Sequence, residues 1–285
     1  MFKFMKHAPT ACATACVAVL ALTSVAPAHA QTQTWTGAYA GVTFGAGIQR
    51  DDADETVAFD TNLDGGFGDT IRTVAGADAF SPGFCAGIAM AAVPSSGCSE
   101  DEDGIDFGGR AGYDRQMGRL VLGALVDVSS TDVSDGVSTF SITPAFYAFA
   151  RELNYVAALR ARIGVGNDRV LVYGTGGGAW ANVDQTFTTS NGVNTFVPGK
   201  GETRSEGSWG YQAGGGVELR LGTRWSVTGE YLFTSLDDAD EGTVRSQGPA
   251  PPTNPFILVN ATGTDLQRTD RFEFQAVRVG LSYRF

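Results

Sequence analysis

Eight segments with period-two hydropathy, three short turns alternating with four long polar stretches, and an export leader together predict one fold class. It is all-β: an eight-stranded antiparallel up-and-down transmembrane β-barrel with four long extracellular loops. Successive strand residues point to opposite faces, so alternation of apolar and polar residues gives a strand one oily and one wet face. Strands of about ten residues cross a bilayer when tilted. In lipid the sheet must close on itself, because an open edge would leave backbone groups unpaired.

The first element is the leader, residues 1–30. Lys3 and Lys6 precede a short apolar run, Ala11–Thr23, and Ala28-His29-Ala30 fits the A-x-A cleavage pattern. Cys12 and Cys16 lie inside that run rather than just after it, which excludes a lipid-anchored terminus. The barrel domain is then 31–285. No later segment is long and apolar enough for a membrane helix.

The first strand segment is Thr36–Ile48, with Val42, Phe44 and Ile48 in the oily row and Tyr39 and Thr43 in the other. The second, Gly104–Gln116, sets Ile105, Phe107 and Tyr113 against Asp106, Arg110 and Asp114. In the third, Leu120–Ser129, Leu120, Leu122, Val126 and Val128 oppose Asp127. The fourth, Leu153–Val165, sets Leu153, Tyr155, Leu159 and Ile163 against Arg160 and Arg162. The fifth, Val170–Val183, is glycine-rich; its oily row is read as Leu171, Tyr173, Ala179, Ala181 and Val183. The sixth, Trp209–Leu221, opposes Trp209, Tyr211, Val217 and Leu219 to Gln212, Glu218 and Arg220. The seventh, Trp225–Phe233, opposes Trp225, Val227, Tyr231 and Phe233 to Glu230. The eighth ends in "VRVGLSYRF", with Val277, Val279, Leu281, Tyr283 and Phe285 opposite Arg278 and Arg284; Phe272 and Phe274 break the pattern near its start. Short turns lie at Met117–Arg119, Gly166–Arg169 and Gly222–Arg224. Long polar loops are expected at Arg50–Asp103, Ser130–Glu152, Asp184–Ser208 and Ser235–Asp270.

The polar row decides between a soluble sandwich and a membrane barrel. Asp106, Arg110, Asp114, Asp127, Arg160, Arg162, Glu218, Arg220, Glu230, Arg278 and Arg284 recur in nearly the same row of neighbouring strands. A barrel of eight strands is just wide enough for side chains to fill. These charges are therefore expected to pair as a lumen network, because an unpaired buried charge costs several kcal/mol. Either they plug the barrel or they line a narrow gated path; the plug is preferred. Aromatics at segment ends mark interface girdles: Trp35, Tyr39, Tyr113, Tyr173, Trp225, Tyr283 and Phe285 toward the turns, and Trp209, Tyr211, Tyr231 and Phe233 toward the loops.

The formal charge is −11, and loss of Lys3 and Lys6 with the leader makes it −13. The leader also carries both histidines, His7 and His29, and leaves Lys200 as the sole lysine. A mature chain of this kind lacks His-based catalysis and His-ligated metal sites, and its acidity argues against nucleic acid. Asp51–Asp103 holds twelve acids against one base, Arg72, with dense ends at "DDADE" (Asp51–Glu55) and "SEDEDG" (Ser99–Gly104). It is expected to be a solvated acidic loop, bridged by divalent ions to lipopolysaccharide phosphates. It also holds Cys85 and Cys98, expected to form a disulfide in an exported protein. "DTNLDG" (Asp60–Gly65) opens like a calcium loop through Asp60, Asn62 and Asp64, but the twelfth position is Ile71 rather than glutamate. "GTGGG" (Gly174–Gly178) lacks the Lys-Ser/Thr of a phosphate loop, and "QGPAPPTNP" (Gln247–Pro255) reads as a stiff loop tip without strand.

Four stretches carry a family resemblance: "WTGAYAGVTFGAG" (Trp35–Gly47), "VLVYGTGGGAWANV" (Val170–Val183), "WGYQAGGGVELRLGTRWSVTGEYLFTSL" (Trp209–Leu236) and "FQAVRVGLSYRF" (Phe274–Phe285). In this order they resemble the alphaproteobacterial small outer-membrane barrels of the Omp25/Omp31 type, often called porin-family proteins. The long first loop with its cysteine pair departs from that pattern. The resemblance implies a Gram-negative outer-membrane location with loops outside and both termini periplasmic. It also implies insertion by the outer-membrane assembly machinery, which reads a terminal aromatic strand. The expected role is structural and surface-interacting, without cofactor or catalysis, with a small passive channel as the alternative. Outer-membrane lipid and lipopolysaccharide are the expected partners, and a monomer is the favoured state.

Overall fold

The computed structural model describes residues 34–49, 55–237 and 242–285. The leader and most of "DDADE" lie outside the described residues.

Eight strands close into a ring: β1 (Gly37–Ile48), β4 (Gly104–Met117), β5 (Leu120–Ser130), β7 (Ala145–Gly166), β8 (Val170–Thr189), β10 (Thr203–Arg220), β11 (Trp225–Asp237) and β14 (Phe272–Arg284). Neighbours pair antiparallel throughout, and β14 returns to β1, with Tyr39 opposite Arg284 and Ile48 opposite Gln275. No open edge remains in the ring, as lipid requires. The outer face is apolar: Val42, Phe44, Ile105, Phe107, Val126, Leu159, Ile163, Val172, Val277 and Val279 are all exposed, Phe44 by 60%.

Two readings of facing are corrected. In β8 the rows are inverted: Leu171, Tyr173, Ala179, Ala181 and Val183 are buried inside, and Val172 faces out. Glycine on both rows removes the contrast that periodicity needs, and Tyr173 is held inside by a hydrogen bond to Glu230. In β7 a register irregularity lies between Leu153 and Tyr155. The extra residue of a bulge swaps the faces, so Leu153 turns inward while Tyr155 stays outside.

The long loops are also not what their polarity suggests. β7, β8 and β10 have 22, 20 and 18 residues, up to about twice what a tilted membrane strand needs. The surplus projects past the loop-side rim and recruits further strands. β3 (Gly83–Ala86) pairs with β6 (Ser134–Ser141), which pairs with the upper part of β7. A second sheet of four strands, in the order β2-β13-β12-β9, joins β2 (Val57–Asp60), β13 (Thr264–Arg268), β12 (Val244–Gln247) and β9 (Thr195–Val197). Loop two supplies β6, and loops one, three and four supply this sheet. Phe59, Ile71, Phe80, Val137, Tyr147, Phe149, Phe187, Phe196, Val244, Phe256 and Leu266 form its core. Ring centroids lie 4.6 Å apart for Phe59–Phe80 and 5.4 Å for Tyr147–Phe256. The loops therefore build a folded cap with an apolar core. The stretch Gln247–Pro255 remains an edge of it, with only Gln247 in a strand.

Candidate functional site

The lumen is built from the inward rows of the ring. Five arginines (Arg110, Arg160, Arg162, Arg278, Arg284) and five carboxylates (Asp106, Asp114, Asp127, Glu218, Glu230) are all buried there. They form two linked groups. Toward the loops, Arg278 reaches Asp106 at 2.7 Å and Asp127 at 2.8 Å. Arg160 lies 3.3 Å from Asp127 and 3.4 Å from Glu230, and Arg110 lies 3.9 Å from Glu230. Toward the turns, Arg162 pairs with Glu218 and lies 3.8 Å from Asp114, while Arg284 lies 2.8 Å from Asp114 and 3.7 Å from Glu218. Equal numbers of opposite charges make the set neutral, the arrangement a low-dielectric interior tolerates.

Hydroxyls complete it. Tyr173 donates to Glu230 at 2.8 Å, Ser226 to Glu218 at 2.6 Å, and Ser129 accepts from Arg278 at 2.8 Å. Tyr39 accepts from Arg162 at 3.4 Å. Tyr39 and Tyr173 are thus lumen residues and not girdle residues. Their rings face Arg162 at 5.7 and 4.1 Å, within cation–π reach. Two glycines make room: a Cβ on Gly123 would lie 2.1 Å from an Asp114 oxygen, and one on Gly280 would lie 2.7 Å from an Arg110 nitrogen.

Arg220, expected in this network, is at the turn-side mouth instead. It donates to the Thr34 carbonyl and lies over the Trp35 ring at 4.3 Å. Trp35, expected in the girdle, is fully buried at 0% exposure. Its indole donates to the Asn167 carbonyl at 2.7 Å, and Arg284 lies 5.5 Å from its ring. It floors the lumen because its N–H finds a carbonyl there and its face meets two guanidiniums. Tyr113, Trp209, Tyr211, Trp225, Tyr231 and Phe285 stand on the outer face, Trp209 with 70% of its surface exposed. Tyr283 is half-buried between Trp225 and Phe285, with centroids at 5.1 and 5.3 Å.

Above the ionic lumen lies an apolar layer of Val133, Leu153, Val156, Ala158, Leu236, Phe272 and Phe274. The inward turn of Phe272 and Phe274 explains why they break the pattern of the last strand. Over this layer sits a third ionic cluster that sequence reasoning missed. Arg151 pairs with Asp135 and lies 2.6 Å from Asp270. Arg268 lies 3.2 Å from Glu55, 3.0 Å from Asp135 and 2.6 Å from Asp270. Burial and the neighbouring Asp135 push the Glu55 carboxyl up. Burial would raise Asp135 and Asp270 too, but Arg151 and Arg268 outweigh it and hold both below the usual carboxylate range. Only charges scattered across three polar loops signalled this cluster, with no period to link them.

Loop one carries the Cys85–Cys98 disulfide, whose Cα atoms are 6.4 Å apart. In the Asp60–Gly65 turn, Asp60 accepts from the N–H groups of Leu63 at 2.6 Å and Gly65 at 2.8 Å, and Asn62 accepts from that of Asp64 at 2.9 Å. These side chains hold the loop's own backbone, as Asx turns do.

A closed eight-stranded ring with an apolar outer band and a salt-bridged interior defines an outer-membrane barrel. The chain belongs to the outer membrane protein beta-barrel domain family, whose model matches residues 17–285. It is 27% identical over 184 residues to the 31 kDa outer-membrane immunogenic protein of Brucella melitensis, covering 64% of this chain and 67% of that one. This relative is of the Omp25/Omp31 type that the sequence resembles, and it supports the outer membrane as the location. Among solved structures, OprG of Pseudomonas aeruginosa aligns with a TM-score of 0.48 and 13% identity, over 89% of this chain and 98% of that one. The outer membrane protease OmpT of Escherichia coli aligns with a TM-score of 0.40 and 10% identity, over 90% and 100%.

Proposed function

We propose that the barrel is a closed anchor that holds a folded cap at the cell surface, with a structural and surface-interaction role and no catalysis. The observation that carries this reading is the filled lumen: five arginines paired with five carboxylates, beneath an apolar layer and the cap. A barrel of this size has room for such side chains and little else. Two features favour the absence of catalysis: residues 34–285 contain no histidine, and the lumen carboxylates are engaged by arginines. The short turns face the periplasm in this reading and the cap faces outward, toward lipopolysaccharide. The strand ending in Phe285 is the segment offered to the assembly machinery, and the protein works as a monomer. The leader is removed after Ala30.

A small passive channel is the second reading. It is favoured by buried lumen atoms without a hydrogen-bond partner, such as Arg160 Nη1 and Asp106 Oδ1, which suit a wet interior. Single-channel recording of the refolded chain in a planar bilayer separates the two. Folded but silent protein is the expected result; stable, reproducible open steps would replace the anchor with the channel.

A further inference from the structure

The seam between cap and barrel holds a group of carboxylates, two of which keep a buried oxygen that the neighbouring arginines do not reach. Glu55 lies just before β2, Asp101 just before β4, and Asp135 on β6. Oxygens of the three lie within 4.8 Å of one another, with Glu55 and Asp135 buried and Asp101 half-buried. We propose that Glu55, Asp101 and Asp135 bind a calcium ion, which clamps both ends of loop one to the β6–β7 hairpin.

Three observations carry this assignment. The first is how the arginines bind. Arg268 takes Oε1 of Glu55 and Oδ2 of Asp135, and Arg151 takes that same Oδ2. The second oxygens, Glu55 Oε2 and Asp135 Oδ1, are buried and have no hydrogen-bond partner. Leaving such oxygens unmatched is costly, and more so when they are charged. The second is charge. Glu55, Asp135 and Asp270 together meet Arg151 and Arg268, so three carboxylates share two guanidiniums, and a cation beside them supplies the positive charge that is short. The third is ligand chemistry. The donors are all carboxylate oxygens from separate segments, with no sulfur or imidazole among them, which selects a hard cation. Carboxylates that bind one- or two-handed suit the flexible coordination of calcium better than the strict octahedron of magnesium. Asp101, held in place by the Gly136 N–H at 2.9 Å, is on the half-open side through which the ion and its waters would enter.

The test is calorimetric titration of the refolded chain with calcium, in non-ionic detergent and free of lipopolysaccharide. Saturable binding of one ion is expected, with a dissociation constant on the order of 10⁻⁴ to 10⁻³ M, the range of extracellular modules. Calcium should also slow proteolysis of the cap, and a chelator should reverse this. Glu55→Gln and Asp101→Asn should each weaken binding more than about tenfold, with heat-modifiable mobility confirming an intact barrel. Asp101→Asn, on the half-open side, serves if Glu55→Gln misfolds. Asp265→Asn, a change to a cap acid paired with Arg245 elsewhere, should bind like wild type. Absence of saturable binding overturns the site and means that a proton fills the gap between the carboxylates. Equal binding by wild type and both site variants also overturns it, assigning the calcium to the diffuse acidic surface.

Discussion

In the lumen Arg278 reaches two aspartates, with valines turned outward on the same strand; in the cap Phe80 packs on Phe59 and Tyr147, with Asp78 and Ser81 beside it exposed. The backbone is the same antiparallel sheet in both places. What differs is the solvent outside. Lipid accepts apolar side chains, so the polar row must turn in and neutralise itself; water accepts polar ones, so the apolar row turns in. β7 crosses this boundary within one strand. Below the irregularity in β7, Leu159 and Ile163 face lipid while Arg160 and Arg162 face the lumen. Above it, Tyr147, Phe149 and Leu153 are buried in the cap and the layer beneath it. One inserted residue converts the membrane code into the soluble one.

The comparison predicts different failures. In the lumen, Arg278→Ala leaves Asp106 and Asp127 buried with less compensation. Removing one partner of a buried ionic pair costs about 3–5 kcal/mol, and a stranded Asp106 beside an Asp127 left with Arg160 alone places this at about 5 kcal/mol. The whole barrel should fail, read as loss of heat-modifiable mobility after refolding. In the cap, Phe80→Ala removes a ring that touches Phe59, Tyr147 and Phe256. A cost of about 3–4 kcal/mol is expected for such a cavity, confined to the cap. Proteolysis of the loops should accelerate while mobility of the barrel is kept. If Phe80→Ala abolishes barrel mobility as well, cap and lumen are one cooperative unit and the contrast fails.

Two smaller changes sharpen the cap's side. Replacing Cys85 and Cys98 together by Ser opens a loop with a sequence separation of 13. About 2–3 kcal/mol of cap stability should be lost, read as earlier loop proteolysis in non-reducing conditions. Tyr147 tests the core by pH. Burial raises its phenol above the usual 10.0, only partly offset by the bond from Asn191. The neutral form is thus favoured by folding. Its contribution is complete below pH 10.0, the unfolded value, and is lost as pH rises through the raised folded value. Tyrosinate absorbance should rise together with cap proteolysis above that pH, and Tyr147→Phe should remove the coupling.

How far these regions could be read in advance follows from the same physics. The barrel was legible because its two rows differ strongly: Ile105 and Phe107 against Asp106 and Arg110 leave one consistent facing. β8 was misread where glycine erased that contrast, and Trp35 because an aromatic at a strand end fits a girdle and a floor equally well. The cap was not legible. Its strands have three to eight residues, and Phe59, Phe80, Phe196 and Phe256 sit in short mixed stretches such as "VAFD", "DAFSP", "NTFVP" and "NPFILVN" that show no alternation. Their contacts are long-range and leave no local period. The charges of the lumen network could be named from their shared row, whereas Glu55, Asp135, Arg151, Arg268 and Asp270 meet only through tertiary structure.

The smallest effect is expected from the best-formed ion pair. Arg245 binds Asp265 two-handed, at 2.6 and 2.7 Å, a tighter fit than most pairs in the lumen. Geometry alone would rank it above Arg160 with Glu230 at 3.4 Å. Its surroundings reverse that order, because the Arg245 side chain is 42% exposed. Water screens the attraction and solvates Arg245 when its partner's charge is lost, so Asp265→Asn should cost less than about 1 kcal/mol. The matching lumen change, Glu230→Gln, keeps the shape and removes a charge that faces Arg110 and Arg160. It should cost several-fold more, because no solvent replaces the missing charge. Denaturant midpoints of cap proteolysis for Asp265→Asn, and of barrel mobility for Glu230→Gln, give the two numbers. Equal costs would mean that the lumen is as wet as the cap surface. The buried pairs would then be lining for a water path rather than a seal.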